Sequence, residues 1–480
     1  MNYRIVFYML GRILQIESAL LSLPVITSII YQEKCLVYLL ITMAVSGVAG
    51  TVLSIICKKR DSMIYVKEGF MIVALAWIFM SAIGALPFFM SGEIPSYIDA
   101  FFETVSGFTT TGASILTDVE SMSKGLLFWR SFTHWIGGMG VLVFIMAIFP
   151  QESGRSIHIM RAEMPGPIVG KLVPKIRETA KILYLIYIAL TVLEIILLSI
   201  GGMSFYESVV HSFGTAGTGG FGVMSDSIAG YSAYVQWVIT IFMLIFGINF
   251  NLYYLILVRK VKTALKSSEL WCYIAIVVAS IIAISANIYS MYDGLAETLR
   301  QSSFQVASII TTTGYATTDF NLWPEFSKAV IVVLMFIGGC AGSTAGGLKV
   351  SRVILLLKAV VKDIKHTIYP RSVTSVKFEG KKIDSNTIGG VTTYFALYFI
   401  LFFGVFILIS LDSFDFETTF TATSACFNNV GPGLGAVGPT SNFAGFSPFS
   451  KVVLSFAMLL GRLEIFPVLV LFSPGFWRKK

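Results

Sequence analysis

The chain has 480 residues, 55% of them hydrophobic and only 13% charged. A soluble domain carries about 25% charged residues, so this sequence cannot coat a globule of its length. That excludes a soluble multidomain enzyme and a disordered chain. The excess of 35 Lys and Arg over 27 Asp and Glu, a net charge of +8, would cluster beside aromatic residues in a nucleic-acid binder. Here its placement reports orientation in a bilayer instead, and no nucleic-acid partner is expected. The five cysteines (Cys35, Cys57, Cys272, Cys340, Cys426) lie far apart and form no metal or redox spacing.

In chain order, residues 5–30 are apolar apart from Arg12 and Glu17 and lead into a second apolar run at 35–57. The first run is longer than a signal-peptide core and has no small-residue cleavage site, so a retained membrane helix is expected. A crossing helix needs about 20 mostly apolar residues. Ten stretches qualify: 5–30, 35–57, 69–91, 125–149, 180–201, 233–258, 270–291, 327–357, 388–411 and 450–473. The eighth is too long and too rich in glycine for one simple helix. Ten spans put 28 of the 35 basic residues on one side and 15 of the 27 acids on the other. The basic side is the cytoplasmic one, which places both termini there.

After residue 68 the chain repeats one plan four times: span, half-apolar segment, span. The segments are DAFFETVSGFTTTGAS (99–114), YESVVHSFGTAGTGGFG (206–222), AETLRQSSFQVASIITTTGYA (296–316) and FETTFTATSACFNNVGPG (416–433). They align on Gly112, Gly220, Gly314 and Gly431, and they are too short to cross and too apolar for surface loops. A short helix that enters and irregular chain that returns fits them. Each opens on acids (Asp99 and Glu103, Glu207, Glu297, Glu417), which suit the positive end of a helix dipole. The carboxyl end would then face the membrane centre, where its negative dipole favours a cation. Glycine beyond it lets carbonyls turn inward in place of a hydration shell, with the hydroxyls of Thr110, Thr111, Thr312 and Thr313 beside them. A single TTTG is more simply a glycine turn; four equivalent ones on one side are not. Each acid is explained singly as a cap or loop charge, while their sum draws cations into an outer vestibule.

The eighth stretch is interrupted by GGCAGSTAGGLK, Gly338 to Lys349. Glycines 338, 339, 342, 346 and 347 break any helix there. The segment is either a loop across an ion path beneath the third re-entrant segment or a helix hinge. Arg462, with Glu464, falls inside the tenth span and must face water or the bundle interior. It is either an electrostatic barrier in a pore or half of a structural ion pair, to Glu464 or to a neighbouring helix. Arg130 and His134, near the start of the fourth span, are expected at the interface. The four histidines make no metal constellation.

The motifs HWIGGMG (134–140), RAEMPGPI (161–168), GGCAGSTAGGLK (338–349), NNVGPGLG (428–435) and GRLEIFPVLVLF (461–472) run almost the length of the chain. With them the sequence resembles the Trk/Ktr/HKT superfamily of potassium transporters, most closely its bacterial TrkH/TrkG branch. The resemblance implies an all-α polytopic membrane protein of four pseudo-symmetric helix–pore-loop–helix repeats around a central ion pore, preceded by two extra helices. The divisions are 1–68 for the two extra helices, 69–150 for repeat 1 and 151–268 for a cytoplasmic loop and repeat 2. Repeat 3, with the intramembrane loop 338–349 and a cytoplasmic loop, takes 269–386, and repeat 4 takes 387–480. The implied selectivity filter, and potassium site, is Thr110, Thr111 and Gly112; Thr218, Gly219 and Gly220; Thr312, Thr313 and Gly314; and Asn429, Val430 and Gly431. Glycine at 112 resembles potassium-selective members, where sodium-selective plant relatives have serine. The second filter, GTGGFG, departs from the threonine-rich form. The implied gate is Gly338, Gly342, Gly346, Gly347 and Lys349, with Arg462 as pore arginine.

The resemblance also implies a homodimer in the bacterial cytoplasmic (inner) membrane and a cytosolic TrkA-like regulatory ring that carries NAD or another nucleotide. No G-x-G-x-x-G follows a strand in this chain, so no organic cofactor is expected on it, and potassium is its substrate. Potassium uptake through a gated pore is the leading expectation, and a secondary symporter coupled to protons or sodium is the alternative. An enzyme would need a His, Asp, Glu or Cys cluster within the spans, which the sequence does not offer.

Overall fold

The computed structural model describes residues 2–57, 66–140, 176–371 and 375–474. The end of the predicted fourth span (141–149), the RAEMPGPI segment and the basic residues 478–480 lie outside them. Among the described residues six helices are long and apolar enough to cross a membrane: Tyr3–Ile30, Leu36–Ile56, Lys67–Ser91, Ala180–Ile200, Ser268–Met291 and Ser385–Asp412. Their outward residues, such as Val48, Ile55, Ile200, Ile282 and Ile400, are exposed aliphatics, as lipid contact requires. The first two helices cross so tightly that a Cβ on Gly11 or Gly50 would lie 2.7 Å from the other's carbonyl oxygen, the small-residue packing usual in lipid.

The remaining predicted spans are not single straight helices. The fourth is helical over Lys124–Gly138. The sixth is Ala233–Phe246 and Phe250–Leu257, bent by 90° at the break. The eighth splits into Glu325–Ile337 and Val350–Ile368 around the glycine loop. The tenth splits into Pro448–Arg462 and Phe466–Phe472, with Glu464 and Ile465 at φ 55° and 66° between them. A β-branched residue there is costly for an L-amino acid, and periodicity gives no hint of such a break.

Four short helices end inside the bundle: Tyr97–Phe108, Phe205–Gly217, Leu295–Ile310 and Phe416–Phe427. Ser96 accepts the Asp99 N–H at the start of the first, and Ser204 with Glu207 forms a capping box on the second. Asp415 caps the fourth, accepting the Thr418 N–H (3.1 Å) and hydroxyl (2.5 Å). Those two hydrogen bonds, the hydroxyl first, hold its carboxyl below the usual carboxylate range.

The repeats close into a ring. Helix Lys124–Gly138 of the first packs on re-entrant helix Phe205–Gly217 of the second, and Ala233–Phe246 on Leu295–Ile310 of the third. Glu325–Ile337 then packs on Phe416–Phe427 of the fourth, and Pro448–Arg462 returns to Tyr97–Phe108 of the first. Each re-entrant helix is thus held by the helix that closes the preceding repeat, and the four carboxyl ends converge.

Candidate functional site

All four re-entrant helices end in the same hydrogen-bond motif. Thr110, Thr218, Thr312 and Asn429 adopt left-handed φ of 54°, 55°, 57° and 56°. The next residue, Thr111, Gly219, Thr313 or Val430, donates its N–H back five positions, to Ser106, Gly214, Ser308 or Ala425, at 2.8–2.9 Å. This is a Schellman-type end, and it hands the chain to Gly112, Gly220, Gly314 and Gly431, at φ 82°, 81°, 83° and 99°.

These glycines form a closed circle with their neighbours' carbonyls. A Cβ on Gly112 would lie closer than 3.0 Å to the Gly219 oxygen, on Gly220 to that of Thr313, on Gly314 to that of Val430, and on Gly431 to that of Thr111. The twelve residues expected at the filter are therefore brought to one place, and the order around the axis is first, second, third, fourth, first. In the first and third segments the hydroxyl of Thr109 or Thr311 bonds that of Thr111 or Thr313 at 2.8 Å and donates to a helix carbonyl at 2.6 Å.

The four seams around this circle use different chemistry. Between the first and second, buried Arg130 pairs with Glu103 (Nε–Oε1 2.6 Å) and donates to the Gly222 carbonyl at 3.2 Å. Glu103 also accepts from the Ser114 hydroxyl and Ile115 N–H, both at 2.9 Å. Between second and third, the Tyr315 hydroxyl donates to the Phe221 carbonyl at 3.1 Å. Asn321 and Gly435 exchange two hydrogen bonds between third and fourth. Asn429 donates to the Thr111 hydroxyl at 2.9 Å between fourth and first.

Arg130 and His134 are thus not interfacial, as the sequence suggested. Both are buried behind the first two filter segments, and the His134 Nδ1 faces the Gly107 carbonyl at 2.7 Å. Helix Lys124–Gly138 is inserted between two re-entrant helices, which buries the face that carries them.

A cavity of about 140 Å³ opens over one side of the circle and is lined by all four glycines, with Ser114, Asn442 and Arg130. No carboxylate lines it among the described residues. Of the acids expected there, Glu103 is spent on Arg130 and Asp99 on Lys451 (2.7 Å), while Glu207 caps its own helix. Summing acids along the sequence missed these partners.

On the other side of the circle sits the glycine loop. The Gly346 N–H donates to the Thr312 hydroxyl at 2.6 Å, and the Gly347 N–H to the Asn428 carbonyl at 3.1 Å. The loop also fills the bend in the sixth span: Cys340 N–H bonds the Gly247 carbonyl (3.0 Å), and Phe250 N–H bonds that of Gly342 (3.0 Å). The loop thereby satisfies backbone groups orphaned by the bend. Gly338, Gly342, Gly347 and Lys349 all have φ between 72° and 76°. The Lys349 ammonium donates to the Ala345 carbonyl within the loop.

Arg462 ends the helix before the break in the tenth span. It donates to the Thr344 carbonyl of the loop (2.9 Å) and to the carbonyls of Gly137 and Gly138 (2.9 Å for the latter). Glu464 is held instead by Arg352 (Nη1–Oε1 3.0 Å), whose guanidinium lies 4.2 Å from the Tyr394 ring centre. Arg352 was not singled out in the sequence, since one arginine in a basic stretch carries no signal for a partner 112 residues away. A smaller cavity of about 50 Å³ lies between loop and break, lined by Gly346, Gly347, Lys349, Arg462 and Glu464.

This architecture is that of an all-α polytopic membrane protein with four pseudo-symmetric helix–pore-loop–helix repeats around a central ion pore. The chain matches the family model described as TrkH, cation transport protein, over residues 37–274 and 255–479. It is 36% identical to the Trk system potassium uptake protein TrkH of Salmonella typhimurium over 487 residues, covering 100% of both chains. It is 34% identical to the Trk system potassium uptake protein TrkG of Escherichia coli over 485 residues, 99% of each. Its fold matches the crystal structure of the potassium transporter TrkH from Vibrio parahaemolyticus with a TM-score of 0.90 at 31% identity, covering 100% of each chain. The chain belongs to the TrkH cation transport family, which is not a class of enzymes.

Proposed function

We propose that this protein carries potassium into the cell through the central pore, down the membrane potential. The observation that carries the reading is the closed circle of left-handed glycines and neighbouring carbonyls. Carbonyls of Thr110–Gly112, Thr218–Gly220, Thr312–Gly314 and Asn429–Gly431 replace the hydration shell of a potassium ion, and the negative ends of four helix dipoles favour it there. The names of the relatives, potassium uptake proteins and a potassium transporter, support the choice of ion.

Below the filter the Gly338–Lys349 loop is the gate. Its glycines let the chain cross the path without side chains, and Arg462 and Lys349 add positive charge where an ion would leave. The basic side of the chain is cytoplasmic, with both termini there, in the inner membrane of a bacterium. The protein works as a homodimer whose gate answers to a cytosolic nucleotide-binding ring, so no organic cofactor sits on this chain. Expression in cells lacking potassium uptake tests the reading: growth on low potassium is restored, more so with the regulatory partner. Membrane-inserted protein that restores growth in neither condition refutes it.

A further inference from the structure

We propose that Glu269 is the positioning residue that latches the glycine loop closed, and that the cytosolic hairpin Lys377–Lys382 holds this latch through Glu379. The inference rests on the gating role proposed above. Glu269 opens helix Ser268–Ile288 and is 5% exposed. One of its oxygens, Oε1, accepts the N–H of Ala341 at 2.7 Å and that of Ser351 at 3.1 Å. Ala341 lies near the start of the loop and Ser351 just past its end, so a single carboxylate ties its two ends. Beside them, the Val350 N–H closes the neck on the Gly339 carbonyl at 2.9 Å. Bonds from backbone N–H groups to a carboxylate are charge-assisted and stronger than those to a neutral acceptor.

The latch is itself held. Glu379 Oε1 accepts from the Ser267 hydroxyl (3.1 Å), the Ser268 hydroxyl (3.0 Å) and the Glu269 N–H (3.1 Å). Glu379 and Gly380 form the two-residue turn between Lys377–Phe378 and Lys381–Lys382, with φ of 48° and 73°. Asn or Asp is the usual residue at the first of these positions. A glutamate there has the reach to span from the turn to the helix start. Val376, Phe378 and Ile383 are buried against the same core as Cys340 of the loop and Val350 just after it, while Lys377, Lys381 and Lys382 face out. A displacement of the hairpin is therefore felt at the start of helix Ser268–Ile288, and there by Glu269.

Rubidium flux through the purified full chain in liposomes tests the route, with a variant shortened within 342–347 run beside it. Glu269→Ala raises flux by at least about 10-fold, the loss expected for one of its two charge-assisted bonds. Glu269→Gln, whose neutral amide oxygen still accepts both N–H groups but more weakly, gives a smaller rise of about 3-fold. Glu379→Ala, on the exposed turn, raises flux by about 3-fold and adds nothing on top of Glu269→Ala, because the two act in series. The rubidium-over-sodium ratio is unchanged in all of them, which a loosened, misfolded pore would not give. If Glu269→Ala fails to fold, Glu379→Ala alone decides. Unchanged or lower flux in folded Glu269→Ala and Glu379→Ala, with raised flux in the shortened variant, overturns the latch and leaves the gate standing. No rise in the shortened variant overturns both. Additive effects of the two alanine changes overturn the serial route.

Discussion

The two layers of the pore are built on opposite principles. The filter repeats one backbone motif four times, with left-handed residues at φ 54–57° and glycines at 81–99°, each locked to the preceding helix by its own hydrogen bonds. The layer beneath is assembled from single, unlike contacts: Arg462 on three carbonyls, Lys349 on Ala345, Glu269 on two N–H groups. A structure whose constraints are local and repeated is stiff. One held by a few long-range bonds has a second state within reach, since each such bond is worth only about 0.5–3 kcal/mol. On the function proposed above, selectivity belongs in the first layer and gating in the second.

Five measurements would break or sharpen that contrast. The largest effect belongs to the filter glycines. Gly220→Ala places a Cβ against the Thr313 carbonyl and forces alanine into a left-handed conformation, so rubidium flux falls by on the order of 100-fold. In the same layer, Gly314→Ser crowds the Val430 carbonyl and lowers discrimination of potassium over sodium. Retained selectivity there would remove the third segment from the filter.

Next comes the gate layer, where the sign reverses. Shortening 342–347 removes the bonds to Thr312 and Asn428, and flux rises by about 10-fold with selectivity kept. A folded protein with no flux would make the loop a scaffold for the filter, and the two layers one. Arg462→Gln gives a smaller rise of a few-fold, because glutamine still reaches fewer of the three carbonyls. Normal flux with a lowered melting temperature would make Arg462 structural. The smallest effect lies outside both layers. Asp415→Ala removes the cap of the fourth re-entrant helix and costs about 1 kcal/mol in thermal unfolding, with flux and selectivity unchanged. Because the Asp415 carboxyl is held below its usual range, its contribution is present above the ordinary carboxylate pKa and fades as pH falls through the lowered value. A change in selectivity in this variant would mean that the cap shapes the filter at a distance.

Much of the filter layer was legible in the sequence. TTTG at 109–112 and 311–314, and the glycines at 220 and 431, announce their own conformation, because a residue that needs positive φ is chosen locally. Thr110, Thr218, Thr312 and Asn429 belonged to the expected set, yet their left-handed backbone was not readable, since threonine rarely adopts it. The charged residues were read less well. Arg130 looks interfacial by depth along its helix, and only the neighbouring re-entrant helices bury it beside Glu103. The acids looked like a cation-attracting rim until Lys451 and Arg130 took up Asp99 and Glu103. Glu269 drew no notice, because its partners are backbone groups more than 70 positions away.

The sequence by itself determined the class of protein, the apolar segments, the four re-entrant stretches and the glycine at the heart of each. These follow from patterns within about 20 residues: apolar length, helix dipole and the freedom of glycine. Tertiary structure alone decided the bends in the sixth and tenth spans and which charge meets which. It also decided that Arg462 reaches Gly138, 324 residues earlier. The reason is physical. A bend or a buried arginine is tolerable only where another segment supplies hydrogen bonds in place of water, and that segment is chosen by the packing of the ring.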